Sequence, residues 1–483
     1  MKFIFLFLLL GGMLMTLKAQ QILTLEKALD IAFEHNPSLV QSKYSLEQNQ
    51  LNLKVQKASL RSQFSLNLSP FRYTRNNVYD SYNSTWYASE TKRSGGTLGI
   101  TQPLKWTDGT ISLVNEFEWQ DATNKNRAQN NKSFNHDLSL RIEQPLFTYN
   151  RTKIKLKELE LNLETALLNY EMRKLSLEKS VTSAFYNIYK AQKNLSIARD
   201  QYNNQKQNFE IIRRKAESGL VKREEFYQAR MNMASAEASL YSQEISLEST
   251  KDQFKLLIGL SLEEDVVVLP ELTLPVVEVD MNQAVRYGLE KRMELRQKEI
   301  VLEKDVFSLI RAKAENEFKG NISVRVGLNA LDEKFGKMYD KPTDNEQIGV
   351  TLTVPLIDWG AKKARVKSAE LGREADELSL EEEKRTIITD IRDICRNLPV
   401  LLRQTEIRKE NVENAEMTYR IQEGKYRDGN LSGMELLQYQ TQLTEARQMY
   451  TNAVINYKIE LLNLKIQTLW NFETGRPVLE TKK

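Results

Sequence analysis

Cysteine, histidine and converging carboxylates are the side chains from which nucleophilic, acid–base and metal chemistry is built. The chain has one cysteine, Cys395, and two histidines, His35 and His136. One thiol closes no intrachain disulfide, and in a helical pattern it reads as a small buried hydrophobe. The histidines lie far apart in sequence, with no metal-ligand spacing and no triad partner nearby. The carboxylates are spread along helical segments. No glycine-rich loop is present to cradle a phosphate. Lys and Arg number 69 against 65 Asp and Glu, and the two signs are mixed along the chain. That balance gives no footprint for nucleic acid. These residue types point away from an enzyme, a cofactor or a metal centre. The information lies in spacing.

The N-terminus indicates the compartment. Lys2 precedes an apolar run from Phe3 to Met15, followed by Thr16, Leu17, Lys18 and Ala19. A positive start, a short apolar core and a small residue form a signal peptide over residues 1–19. No cysteine follows the expected cleavage point, so no lipid anchor is expected there. Beyond the leader no run of about 18 apolar residues occurs, which excludes a helical membrane span.

The rest of the chain is one design used twice. Residues 22–69 align without a gap on residues 278–325, at an offset of about 256. Further on, Gln144-Pro145-Leu146-Phe147 matches Val354-Pro355-Leu356-Ile357 at an offset of about 210, which also places Gly219 on Gly429. The difference of about 46 residues is an insertion in the first half, between Phe64 and Pro145. The expected organisation is N-terminal helices over 20–62 and strands with the inserted hairpin over 63–147. A long helical hairpin over 148–259 and a connector over 260–280 come next. The second copies cover 281–318, 319–357 and 358–470, with a tail over 471–483.

Two periodicities alternate along each half. After Phe147 the apolar residues recur in steps of three and four, close to 3.5, as in a coiled-coil seam. No Pro or Gly interrupts residues 151–218, so one helix of roughly 100 Å is expected there. Gly219 ends it and a shorter helix returns over about 222–257. The second half repeats this with helices over about 362–427 and 433–468, turning at Asp428-Gly429-Asn430. Glycine suits the left-handed residue that ends a helix. Each half also opens with a helical stretch, residues 24–62 and 281–318.

Between these helices the period switches to two. Phe64, Leu66 and Leu68 alternate with polar residues, as do Ile111 and Leu113, Leu138 to Ile142, Ile322 to Leu328, and Ile348 to Val354. Residues 97–104 make a sixth, weaker case. One apolar and one polar face over about ten residues is the pattern of a membrane barrel strand; a soluble sandwich alternates too. Trp86, Trp106, Trp119 and Trp359 flank these segments, as an interfacial girdle requires. Six strands are too few for a single-chain barrel, and an open edge is not tolerated in lipid, so copies of the chain must close the sheet. Trp106-Thr107-Asp108-Gly109 reads as the turn of the inserted hairpin, which either widens the barrel or stands outside the membrane. Polar residues 81–96, 121–134 and 331–346 read as loops.

Two halves, each ordered helix, strands, long helix, glycine turn and returning helix, resemble the TolC family of outer-membrane efflux proteins. The residues that carry the likeness are Leu25-x-x-Ala28-Leu29-x-x-Ala32-x-x-x-Asn36-Pro37-x-Leu39, Gln144-Pro145-Leu146-Phe147 and Ser218-Gly219-Leu220-Val221. The second half supplies Val354-Pro355-Leu356-Ile357-Asp358-Trp359-Gly360 and Tyr426-x-x-Gly429. The resemblance covers nearly all of the chain beyond the leader. It implies an α+β membrane protein: a trimeric transmembrane β-barrel continuous with a long α-helical coiled-coil periplasmic tunnel, two repeats per protomer. It implies a homotrimer in the outer membrane of a Gram-negative bacterium, in contact with outer-membrane lipid. Its partners would be a periplasmic adaptor (membrane fusion) protein and an inner-membrane pump of RND, ABC or MFS type. Its work would be passive conduction, in a tripartite efflux or type I secretion system, without chemistry of its own.

The resemblance also implies a periplasmic gate where the helical turns converge. Its residues fall on Tyr426, Glu435, Gln438 and Glu225, with Arg427 one turn away as a substitute for the tether. Gln438 departs from the acidic residue of the pattern, and Leu431 stands where the pattern has a tethering arginine. Three copies of Glu435 near an axis make a negative ring that favours cations; the plain alternative is a solvated helix charge. Gly219, Leu220, Gly429 and Asn430 would be the adaptor-docking tips. The competing reading from another class is a periplasmic adaptor or tether without a membrane barrel, which predicts one hairpin rather than two.

Overall fold

A computed structural model describes residues 21–82, 84–124, 129–270, 274–428 and 430–478. The expected leader and Gly429 lie outside the described residues. The chain divides into two compact units, one of Leu168–Arg296, Leu380–Lys483 and the N-terminal stretch through Tyr44, the other of Ser45–Leu167 and Gln297–Ser379.

The first unit is built on helices. After strand β1 (Gln21–Leu23) come α1 (Leu25–His35) and the start of α2 (Pro37–Ser59). The single stretch expected over 24–62 is two helices. Pro37 lacks an amide hydrogen and drives Asn36 to extended backbone, so α1 stops there. The same break separates α5 (Met281–Lys291) from α6 (Met293–Ala314) at the extended Arg292. The long helices are α3 (Arg151–Glu217), α4 (Arg223–Ile258), α7 (Ala361–Arg427) and α8 (Gly433–Thr468).

The repeat is visible in the packing. Leu177, Val181, Ile188, Leu247 and Phe254 form one core with Leu23, Ala28 and Ala32. At the repeat offset they fall on Ile387, Ile391, Leu398, Tyr457 and Leu464, the second core, which Ala284 joins. Helix α1 packs on α4 as α5 packs on α8. The connector has a strand of its own, β6 (Val266–Val268), paired in parallel with β1. Two short strands, β9 (Trp470–Asn471) and β10 (Arg476–Pro477), pair after α8.

The second unit holds one antiparallel sheet of six strands. They are β2 (Gln63–Asp80), β3 (Thr85–Pro103), β4 (Thr110–Asn124), β5 (Gln129–Leu146), β7 (Lys319–Asp332) and β8 (Thr343–Thr353). The order is β2-β3-β4-β5-β7-β8, so each strand of the sheet pairs with the one that precedes it in the chain. The strands run well into the segments expected as loops: β2 pairs with β3 as far as Asp80 and Thr85, and β4 with β5 as far as Asn124 and Gln129. Polar composition misled there, because backbone ladders need no apolar side chain once a hairpin partner is alongside.

Candidate functional site

The two faces of the sheet are chemically distinct. Cross-strand partners share a face. One row runs Phe64, Ile100, Leu113, Leu140 and Val326 through five strands. Another runs Ile111, Ile142, Val324 and Ile348 through the last four. On the opposite face the row is Asn67, Thr97, Glu116, Asp137, Asn329 and Thr343. Charges collect there: Arg325 donates to Asp137 at 2.7 Å, and Arg93 lies 3.8 Å from Glu118. Alternation is therefore largely in phase across the sheet, and its apolar residues gather in a band on one face, the pattern of membrane barrel strands.

Aromatic residues mark both ends of the band. Trp106 and Trp359 are almost fully exposed beside the turns that precede α3 and α7. The Phe147 ring lies 5.1 Å from that of Phe318 at the same end. At the other end Tyr79 packs on Trp86, and Phe335 packs edge-on to Phe117 and Phe134. Trp470, the tryptophan outside this set, stacks on Tyr287 in the helical unit.

The turn of the inserted hairpin is tied to the start of α3. Asp108 accepts from the Thr152 amide at 3.1 Å and from the Arg151 guanidinium at 3.0 Å. Asn150 donates to the carbonyls of Lys105 and Trp106, and Gln144 donates to that of Thr107. Burial by itself raises the Asp108 carboxyl, but the bonds from Thr152 and Arg151 outweigh it and hold the group below its ordinary range. The sequence marked this turn but not the cap it supplies.

The helix turns hold the residues expected at the gate and tips. Gly219, at φ +71, ends α3, and the Leu220 amide reaches back to the Lys215 carbonyl at 2.8 Å. In the second turn the Asn430 amide reaches the Lys425 carbonyl at the same 2.8 Å. The first is the bond of a glycine helix stop, and the second has the same spacing. Leu220 is exposed.

Glu225 and Glu435 occupy the third position of α4 and α8, equivalent places in the repeat, and both are exposed. Glu435 closes a capping box with Ser432, accepting from its amide at 2.9 Å. The Ser432 amide and hydroxyl hold the Glu435 carboxyl below its ordinary range. Lys222, at the start of α4, makes no side-chain cap. The spacing Ser432-x-x-Glu435 was readable as a capping box.

Tyr426 is half-buried, and its hydroxyl donates to Asn208 of α3 at 2.6 Å, joining the two hairpins. Burial pushes that hydroxyl up, so it stays a protonated donor. Arg427 pairs with Glu423 one turn back on its own helix, at 2.9 Å. Gln438 is exposed on the second turn of α8. Asn208, the partner of Tyr426, is a residue that the sequence did not single out. It lies on an Asn/Gln-rich stretch of α3 without a sequence signal of its own.

The reactive residue types are dispersed. Cys395 sits beside the second core, where burial and the Asp280 charge push its thiol up, away from the thiolate form. His35 ends α1. His136, in β5, hydrogen-bonds Asn115 at 2.8 Å and meets the Tyr339 ring edge-on.

Comparison with known proteins fits this geometry to a family. The model of the family described as outer membrane efflux protein matches residues 28–260 and 320–466. The chain belongs to the outer membrane efflux protein family. Among its relatives, the probable outer membrane lipoprotein SilC of Salmonella typhimurium is 19% identical over 60% of this chain and 62% of its own length. Outer membrane protein TolC of Escherichia coli K12 is 25% identical over 27% of each chain. The chain thus spans less than two thirds of the length of some of the relatives it matches. The fold matches solved channels more completely. The CmeC outer membrane channel of Campylobacter jejuni superposes with a TM-score of 0.70 at 15% identity, over 94% of this chain and 87% of that one. The outer membrane protein VceC of Vibrio cholerae gives 0.65 at 15%, over 93% and 96%. Fold and family are those of channel proteins. The family places this chain in the outer membrane.

Proposed function

We propose that the chain is the outer-membrane exit duct of a tripartite efflux or type I secretion system. Three copies join their sheets into one barrel and their helical hairpins into a periplasmic tunnel. Solutes delivered by an inner-membrane pump pass through it without chemistry. The observation that carries this reading is the largely in-phase apolar band on a sheet whose two edges, β2 and β8, pair with no further strand among the described residues. In lipid every backbone group must be paired, so such a sheet is stable only when closed, and a cyclic oligomer closes it. The polar face then lines a water-filled lumen.

The tunnel narrows at the helix turns. Tyr426, Glu435, Gln438, Glu225 and Arg427 belong to that gate, and Gly219, Leu220, Gly429 and Asn430 form the tips that an adaptor grips. The reading without a barrel predicts a single hairpin, whereas the described residues hold two, α3–α4 and α7–α8. The test is planar-bilayer recording of the purified protein. Discrete openings support the duct. A protein that stays soluble without detergent and opens no channel overturns it.

A further inference from the structure

We propose that the inserted hairpin β3–β4 is part of the membrane wall, so that three copies of the six-stranded sheet close an eighteen-stranded barrel. Two equal repeats would give twelve. This rests on the duct reading, and it concerns the width of the pore.

The repeat identifies which strands are extra. Phe64 in β2 corresponds to Gly320 in β7, and Pro145 at the end of β5 corresponds to Pro355 just after β8. Strands β3 and β4 have no counterpart in the second half. They are nonetheless wedged between the counterparts: β2 pairs with β3 from Gln63 to Asp80, and β4 with β5 from Thr110 to Asn124. For the hairpin to stand outside the wall, both ladders would have to break and β2 would have to find β5. In lipid an unpaired backbone group finds no water to bond, so broken ladders are not tolerated there.

The side chains of the hairpin agree. Ile100 and Leu113 lie in the same row as Phe64 and Leu140, at the level of the band. A hairpin standing in water has no reason to keep apolar residues on one face at that height. The hairpin's turn is held by Asp108 at the first turn of α3, so its position along the strands is fixed from below.

The two edges suit each other on neighbouring copies. With six strands alternating in direction, β2 and β8 run antiparallel to one another. Their apolar residues share one face. Phe64 and Ile348 on the edges are 72% and 78% exposed, against 43% and 40% for Leu98 and Leu113 inside the sheet. The edge residues lack a neighbour on one side, and a second copy supplies it.

Eighteen strands tilted by about 40° enclose a backbone cylinder of roughly 36 Å, against about 24 Å for twelve. Barrels of this strand number leave an open aqueous channel. The wall then sets no size limit on drug-sized solutes, and sieving falls to the helical gate.

The test places single cysteines in a Cys395→Ala background: Leu98→Cys and Leu113→Cys on the inserted strands, Val350→Cys on β8, and Thr97→Cys on the polar face. Each is labelled with a small thiol-reactive fluorophore in phosphatidylcholine vesicles whose acyl chains carry nitroxides. The inference expects quenching at Leu98 and Leu113 within about twofold of that at Val350, and little at Thr97, because lipid-facing and lumen-facing residues alternate. Quenching at Val350 without quenching at Leu98 and Leu113 overturns the inference and leaves the duct intact. Quenching at none of the three overturns the duct reading itself. A strand count on the assembled particle by electron cryo-microscopy decides independently between eighteen and twelve.

Discussion

Asp108 accepts a hydrogen bond from the Thr152 amide at 3.1 Å, so a turn 44 residues upstream caps the start of α3. The second repeat does the same work locally: Asp358 accepts from the Lys362 amide at 3.0 Å. Lys362 is the repeat counterpart of Thr152, whereas Asp358 corresponds to Thr148, which has no carboxylate. The insertion thus carries the carboxylate that its own half lacks. Asp108→Ala is expected to lower stability by about 1–2 kcal/mol, the usual loss when a cap is removed. Asp108→Asn keeps an acceptor for the amide and should lose less. Thermal unfolding of the detergent-solubilised protein, followed by tryptophan fluorescence, ranks the three.

The same carboxylate gives a pH dependence. Its affinity for protons is lower in the folded chain than in the unfolded one. The unfolded state therefore takes up the proton first, and the contribution is complete above about pH 4, the ordinary Asp value. It is lost as pH falls through the lower native value. Wild type and Asp108→Ala should differ in melting temperature at pH 7 and converge as pH falls below about 4, the ordinary Asp value. A constant difference over that range would mean that the carboxylate is not the source.

Tyr426 and Asn208 tie the second hairpin to the first through one hydrogen bond of 2.6 Å. Tyr426→Phe removes the donor and keeps the ring, which costs about 1 kcal/mol of that tie. If the turns form a gate, resting conductance in planar bilayers should rise in Tyr426→Phe and in Asn208→Ala. The double variant should add little to either single one, since both delete the same bond. Equal and additive effects would separate the two residues.

Much of this architecture was legible in the chain. Gly219 and the 3.5-residue period fixed the hairpins, and the alternation from Phe64 to Val354 fixed the sheet and its apolar face. Both signals are local and arise from covalent geometry. The ends of the strands were not legible, because residues such as Asn76 and Ser133 pair through backbone alone and carry no apolar mark. Nor was the bond between Tyr426 and Asn208, whose partners lie 218 residues apart. Such a pairing is set by how two hairpins pack, and neither side chain's type announces it.

Glu435 has one observed role and one proposed, and a single substitution can separate them. Its carboxylate closes the capping box of α8, and the proposed gate would use its charge as a selective ring. Glu435→Gln keeps a side chain able to accept from Ser432 and removes the charge. Glu435→Ala removes both. Cation selectivity, read from the reversal potential in a salt gradient, should fall in both variants. The melting temperature should fall in Glu435→Ala and hold in Glu435→Gln, because only the first loses the cap. Selectivity lost in Ala but kept in Gln would assign the effect to the cap and not to a charged ring.

Gly259 ends α4 at φ +78, where it meets the end of α1: a Cβ placed there would lie 2.5 Å from the His35 carbonyl oxygen. Its counterpart in the second repeat is Leu469, also left-handed at φ +49. Leucine is accommodated at one site, while at the other the backbone of α1 approaches too closely for any side chain. Asn36, next to His35, donates to the Leu257 carbonyl at 2.7 Å, so α1 cannot withdraw without losing that bond. Gly259→Ala therefore combines left-handed strain of about 1 kcal/mol with a backbone clash, and the total should exceed about 2 kcal/mol. Gly219→Ala carries the strain alone, because a Cβ there meets nothing within 4 Å. Unfolding of the two variants side by side checks the ordering. Equal losses would show that the end of α1 gives way, and that the contact between His35 and Gly259 does not constrain the fold.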